Sequence, residues 1–241
     1  MKWYQTVWGI ALLGFAGVVM VGVIAFGSIT IRFWWQIRHG GNAVLQQQYG
    51  GFDRQQASAQ TANVDRSVLE KGDFPSLGNP NAPITVVLFG DFKCPNTKNA
   101  WPIMQRLLGQ YSDKVRLVFR HFPGESIHPG ANKLAQLSVC TYKQSQEAYW
   151  GLHNYLFAHQ NELPVNLSDQ DIAKIAQELN LDMTQLNSCL SSSEASLVKI
   201  NRDYADGVRF GVGGTPTFFV NGKKIEGVVP WEVWDGFVKQ F

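Results

Sequence analysis

The alternation of apolar and polar positions divides this chain into three zones. Val7 to Ile31 is dominated by Val, Ile, Leu, Ala, Phe and Gly, and no charge falls between Lys2 and Arg32. As a helix, that run is long enough to cross a bilayer core. Trp3, Tyr4 and Trp8 flank one end and Phe33, Trp34 and Trp35 the other, where amphipathic rings prefer the headgroup region. Residues 1–35 are therefore read as one N-terminal transmembrane helix. The competing reading is a cleavable signal peptide with Ala25-Phe26-Gly27 as its processing site, but the apolar run exceeds an ordinary signal core. Lys2 on one side and Arg32 and Arg38 on the other leave the orientation open. Residues 36–72, rich in Gln, Gly, Ala and Asn without a sustained apolar period, read as a flexible linker.

From residue 73 to 241 the pattern is mixed. Ile84 to Gly90 is a short β-branched run after the turn-forming Gly78-Asn79-Pro80-Asn81-Ala82-Pro83 and predicts a buried strand. Trp101, Met104, Leu107, Leu108 and Tyr111 recur at helical spacing, and Val115 to Phe122 returns to strand composition. Residues 124–193 are mostly helical in period, with Ile172, Ile175, Ala176 and Leu179 on one face and Ser168 as an N-cap. Leu197, Tyr204, Ala205 and Val208 predict a further helix. Thr217 to Val220 and Lys223 to Gly227 flank an Asn221-Gly222 hairpin turn, and Trp234, Phe237, Val238 and Phe241 close the chain with an amphipathic helix. The order is β-α-β, helices, β-β-α: an α/β domain with a helical insertion. No internal repeat is present.

A net charge of +2 with no run of Lys and Arg among aromatics argues against nucleic acid as a partner. Three cysteines permit at most one internal disulfide and leave at least one thiol free or linked to another molecule. Cys94-Pro95-Asn96-Thr97 follows the first long strand and opens a helix, where unsatisfied backbone N–H groups favour the thiolate. Pro102 is expected to kink that helix. Gly213-Gly214-Thr215-Pro216-Thr217 precedes a strand, the setting in which a cis bond before Pro216 is a deliberate feature. Asp91 reads as a solvated or capping aspartate, with proton transfer to Cys94 as the alternative. His121, Glu125 and His128 have no compact metal-ligand spacing, so no metal and no cofactor is expected. His153 and His159 read as surface residues.

Three stretches together, LGNPNAPITVVLFGDFKCP, FRHFPGESIHPGA and GVGGTPTFFVNGKKIEG, resemble the thioredoxin superfamily and, within it, the DsbA-like branch. The resemblance spans roughly residues 77 to 227. It implies a thioredoxin fold with a helical insertion, acting outside the cytoplasm on cysteine-containing client proteins and an unidentified thiol redox partner. In that frame Cys94 is the nucleophile, Thr97 a hydroxyl that hydrogen-bonds its sulfur, and Pro95, Asn96, Thr215 and Pro216 the surface that meets the client. It also implies a structural disulfide between Cys140 and Cys189; the alternative is that one of these resolves Cys94.

The departure from the pattern is Thr97, which stands where disulfide-shuttling members carry a second cysteine. Two functions follow as expectations. One is a membrane-tethered, monothiol thiol-disulfide oxidoreductase or isomerase. The other is a binding or chaperone-like module that keeps the peptide groove after the chemistry has lapsed. A third, a permanent intermolecular disulfide through Cys94, follows from the odd cysteine count.

Overall fold

The computed structural model describes residues 17, 19–32, 34, 64–192 and 194–241. The chain divides into two units, Met1–Gly51 and Phe52–Phe241. In the first, residues 19–32 are helical and expose Val21, Val23, Ile24, Phe26, Ile29 and Ile31. Among the described residues no helix is long and apolar enough to cross a membrane. The rest of the expected anchor, and residues 36–63 of the expected linker, lie outside the described residues. The end of that linker is structured: α1 (Arg66–Glu70), capped by Asp65, buries Leu69 completely in the core beside Phe74, Val87, Phe89 and Phe219.

The second unit holds a five-stranded sheet in the order β1-β3-β2-β4-β5. β1 is Ser76–Gly78, β2 Ile84–Gly90, β3 Val115–His121, β4 Thr217–Val220 and β5 Lys223–Glu226. All seven residues of β2 are buried, which is why its sequence is a continuous apolar run. It pairs parallel to β3, and the crossover is α2 (Pro95–Gln110), whose buried face is Thr97, Ala100, Trp101, Met104 and Leu107. Gly90 ends β2 where a Cβ would stand 2.7 Å from the Phe119 ring and 3.1 Å from the Thr97 methyl, so only glycine lets helix and strand approach this closely.

Between β3 and β4 run α3 (Ala131–Tyr142), α4 (Gln146–Ala158), α5 (Asp169–Glu178), α6 (Met183–Ser191) and α7 (Glu194–Arg209). Ser168 and Asp171 form a reciprocal capping box on α5. The hairpin β4–β5 turns through Asn221 and Gly222, both at positive φ, as a two-residue turn requires. α8 (Trp231–Val238) returns Trp234 against Phe218. Cys140 on α3 and Cys189 on α6 are joined in a disulfide with Cα atoms 5.6 Å apart. Closing a loop of 49 residues removes ~4 kcal/mol of unfolded-chain entropy in the simplest account.

Of the two histidines read as surface residues, His159 is partly exposed and His153 contradicts the reading. His153 is fully buried, ringed by Trp101 at 4.1 Å, Phe119 and Phe157 at 4.9 Å and Phe92 at 5.3 Å between ring centroids. Neither of its ring nitrogens has a hydrogen-bond partner. His121 is also buried, 3.4 Å from the Ser138 hydroxyl. Burial pushes the His121 imidazole down to about 3, helped by Lys199 and Arg120, and burial likewise pushes His153 well down. Both stay neutral in the fold, whereas the unfolded chain takes up protons below about 6.5. Stability is therefore fully present above pH 6.5 and falls as pH drops from there. At pH 5 the loss from His121 is about 2 kcal/mol, with His153 adding in the same direction. Denaturant midpoints at pH 7.5 and pH 5 measure this. His153→Phe, apolar and aromatic like its cage, is expected to flatten the dependence; an equally steep fall in that variant would remove His153 from the account.

Candidate active site

The register of the sheet assembles the site. β2 and β4 are antiparallel with Phe89 opposite Thr217, so the start of β4 stands beside the end of β2. The segment entering β4, Thr215-Pro216, has a cis peptide bond. The segment leaving β2 carries Cys94 as the N-cap of α2, with Pro95 as the first helical residue. The two meet: the Cys94 Sγ donates to the Thr215 carbonyl oxygen at 3.2 Å. A thiolate formed here lies at the positive end of the α2 macrodipole.

Cys94 is 4% exposed, with Pro95 and Asn96 exposed beside it. The cysteine is thus less open than a helix-start thiol suggests, and the exposed part of the site is its rim. A shallow groove continues along Gly213, Gly214, Thr215, Pro216 and Thr217 to Glu226 and Gly227. Thr97 is fully buried, and its hydroxyl has no hydrogen-bond partner. The expected bond from this hydroxyl to the Cys94 sulfur is absent; the sulfur turns to Thr215 instead, and the Thr97 methyl packs on Gly90. The idea that Cys140 or Cys189 resolves Cys94 also falls, since those two are bonded to each other and Cys94 is the free cysteine.

Asp91 is 1% exposed, not solvated. Its carboxylate accepts from the Lys93 amide at 2.8 Å and the Gly124 amide at 3.0 Å, and pairs with His128 Nδ1 at 2.7 Å. Its carbonyl accepts from the Cys94 amide. One side chain therefore fastens the cysteine turn to the loop after β3. Glu125 in that loop accepts from the amides of Gly130 and Asn132 and so holds the start of α3. Burial lowers the Lys93 ammonium, with Asp91 opposing; its Nζ donates to the carbonyls of Leu163 and Pro164. Gln160, which the sequence did not single out, donates to the carbonyls of Phe92 at 2.8 Å and Cys94 at 3.0 Å. Among the described residues no group of three or more His, Cys, Asp or Glu side chains is placed to hold a metal ion.

The thioredoxin family profile matches residues 70–240, and the chain belongs to that family. Within it the likeness is to DsbA-like proteins. The chain is 32% identical over 160 residues to a probable disulfide bond formation protein D of Bacillus anthracis, covering 61% of this chain and 69% of that one. It superposes on the thiol-disulfide exchange protein alpha-DsbA2 of Wolbachia pipientis with a TM-score of 0.64 at 22% identity, over 73% of this chain and 90% of that one; this last likeness is one of fold. A Na(+)/H(+) antiporter, NhaA 1 of Salinispora arenicola, is 36% identical over 150 residues, 62% of this chain. The chain spans only 22% of that antiporter's length.

Proposed function

We propose that this chain is a membrane-tethered, extracytoplasmic thiol-disulfide oxidoreductase or isomerase that acts on protein cysteines through Cys94 alone. The observation that carries the reading is the Cys94 sulfur at 3.2 Å from the carbonyl of Thr215, which precedes a cis proline. A client strand laid along the groove at Gly213–Thr217 brings its own sulfur to that point, with Pro95 and Asn96 as the facing rim.

The Cys94 thiolate attacks one sulfur of a client disulfide. A new S–S bond forms to that sulfur, the client's S–S bond breaks, and its second sulfur leaves as a thiolate that takes up a proton. Thr97 offers no second thiol, so release comes from outside the motif. When another client thiolate attacks, the client disulfide is re-formed elsewhere, Cys94 returns, and no net oxidation occurs. When a small thiolate attacks the Cys94 sulfur instead, the client leaves with both cysteines as thiols and Cys94 carries the small thiol in a mixed disulfide; a second small thiolate then frees Cys94 and departs joined to the first as their disulfide, so two external thiols supply the electrons.

The test is capture in intact cells: thiols are blocked rapidly, and proteins sulfur-linked to Cys94 are identified by non-reducing gel and mass spectrometry. Adducts are expected for the natural chain and none for Cys94→Ser; adducts equal in both would end the proposal. The tight burial of Cys94 and the missing second cysteine favour one other reading, a peptide-binding module without turnover. Client binding that is undiminished in Cys94→Ser, with no adducts in the natural chain, is its signature.

A further inference from the structure

We propose that Gln160 is a positioning residue for Cys94, through which the helical insertion sets the reactivity of the sulfur. The inference rests on the reading of Cys94 as a nucleophile.

Three consecutive residues of the cysteine turn are gripped by one short stretch at and after the end of α4. The Phe92 ring enters the aromatic cluster, 5.4 Å from Phe157 and 5.3 Å from His153. Lys93 Nζ is held at 3.1 Å by the carbonyl of Leu163 and at 2.9 Å by that of Pro164. The carbonyls of Phe92 and Cys94 both accept from the Gln160 side-chain amide, which is 7% exposed. Of these contacts only the last reaches the backbone of the nucleophile itself. The Cys94 carbonyl also accepts from the Lys98 amide, the first turn of α2. Gln160 therefore fixes the plane of the peptide that joins Cys94 to the helix, and with it the aim of the side chain between Thr215 and the helix N-terminus.

The two N–H groups of the Gln160 amide also offset the partial negative charge of two carbonyl oxygens in the turn that carries the sulfur. Without them the Cys94 oxygen keeps only the Lys98 amide and the Phe92 oxygen loses this donor, which disfavours a negative charge on the same turn. The shape of the amide matters as much as its polarity. One –NH₂ serves two acceptors two residues apart, which neither a hydroxyl nor a carboxylate can do.

The experiment uses the full chain and follows alkylation of Cys94 by iodoacetamide as a function of pH, with Gln160→Leu, Gln160→Met and Gln160→Glu. Losing the net worth of one hydrogen bond slows alkylation at pH 7 by about threefold to tenfold. The Leu and Met variants are expected to show this, with the pH profile displaced to the alkaline side, and Gln160→Glu, which places a charge against both carbonyls, to go further. A purely structural role moves the melting temperature and leaves the profile in place. Profiles that superimpose on the natural chain in the Leu and Met variants overturn the proposal, as does failure of both to fold. Alkylation needs no client, so the two readings fail separately. Absent adducts with a displaced profile sink the proposed function and leave Gln160 as positioning Cys94; adducts with an unmoved profile do the reverse.

Discussion

A Thr97→Cys variant is expected to close a disulfide between Cys94 and the new thiol, and to release mixed disulfides ~10²-fold faster or more than the natural chain. The geometry is already in place. Positions 94 and 97 are the N-cap and third residue of α2, and helical rise and radius put such Cα atoms roughly 5 Å apart, inside the range a disulfide accepts. The substitution is also mild. Thr97 is fully buried against Gly90 and its hydroxyl bonds to nothing, so cysteine loses no hydrogen bond and keeps nearly the same volume. Titration against a glutathione buffer, read by mass spectrometry as the loss of two hydrogens, decides it. A variant whose mixed disulfides persist as long as those of the natural chain would show that position 97 does not face the sulfur.

The second large effect concerns the fold. Arg120 sits in β3 with its side chain fully buried, bonded to Asp203 at 2.7 Å and Asp206 at 2.5 Å on α7 and to the Val68 carbonyl at 3.0 Å. Its guanidinium lies 4.2 Å from the centroid of the Phe74 ring. Burial pushes the Asp203 carboxyl up, with Arg120 and then Lys199 pulling it back. Arg120→Leu removes the stronger pull and strands a carboxylate that is 1% exposed, a change that destabilises by about 3–5 kcal/mol. Arg120→Leu combined with Asp203→Leu is expected to recover much of that, because paired removal takes away the fully buried carboxylate and leaves only Asp206, 16% exposed, without its guanidinium partner. Urea midpoints for the two single variants and the double variant give the coupling. Additive losses in the double variant would show that the pair is not a unit.

Much of this arrangement is written locally. β2 runs from Ile84 to Gly90 as its apolar run predicts, because a strand covered on both faces needs no alternation. Asn221-Gly222 and Ser168 name their turn and cap because those geometries admit few residues. What escaped is long-range. β1 is only Ser76–Gly78, too short to show a period, and it exists because β3 offers an open edge. Leu69 has only Val64 and Val68 as apolar neighbours in an otherwise polar segment, and only the completed sheet gives it a core to enter. His153 counts as polar in any periodicity, although Tyr149, Trp150, Leu152, Leu156 and Phe157 share its helix and signal how deeply α4 is buried. Gln160 acts on backbone carbonyls 66 and 68 positions away, a contact that leaves no trace in spacing.

The bridge between α3 and α6 bears on the molecule's own history. Joining Cys140 to Cys189 withdraws two electrons from the chain, and the remaining cysteine, Cys94, has no thiol neighbour in its motif with which to hold them. The oxidising equivalents have to be delivered by another agent. This polypeptide is itself a recipient of sulfur oxidation, and closure of the bridge follows the supply of external oxidant.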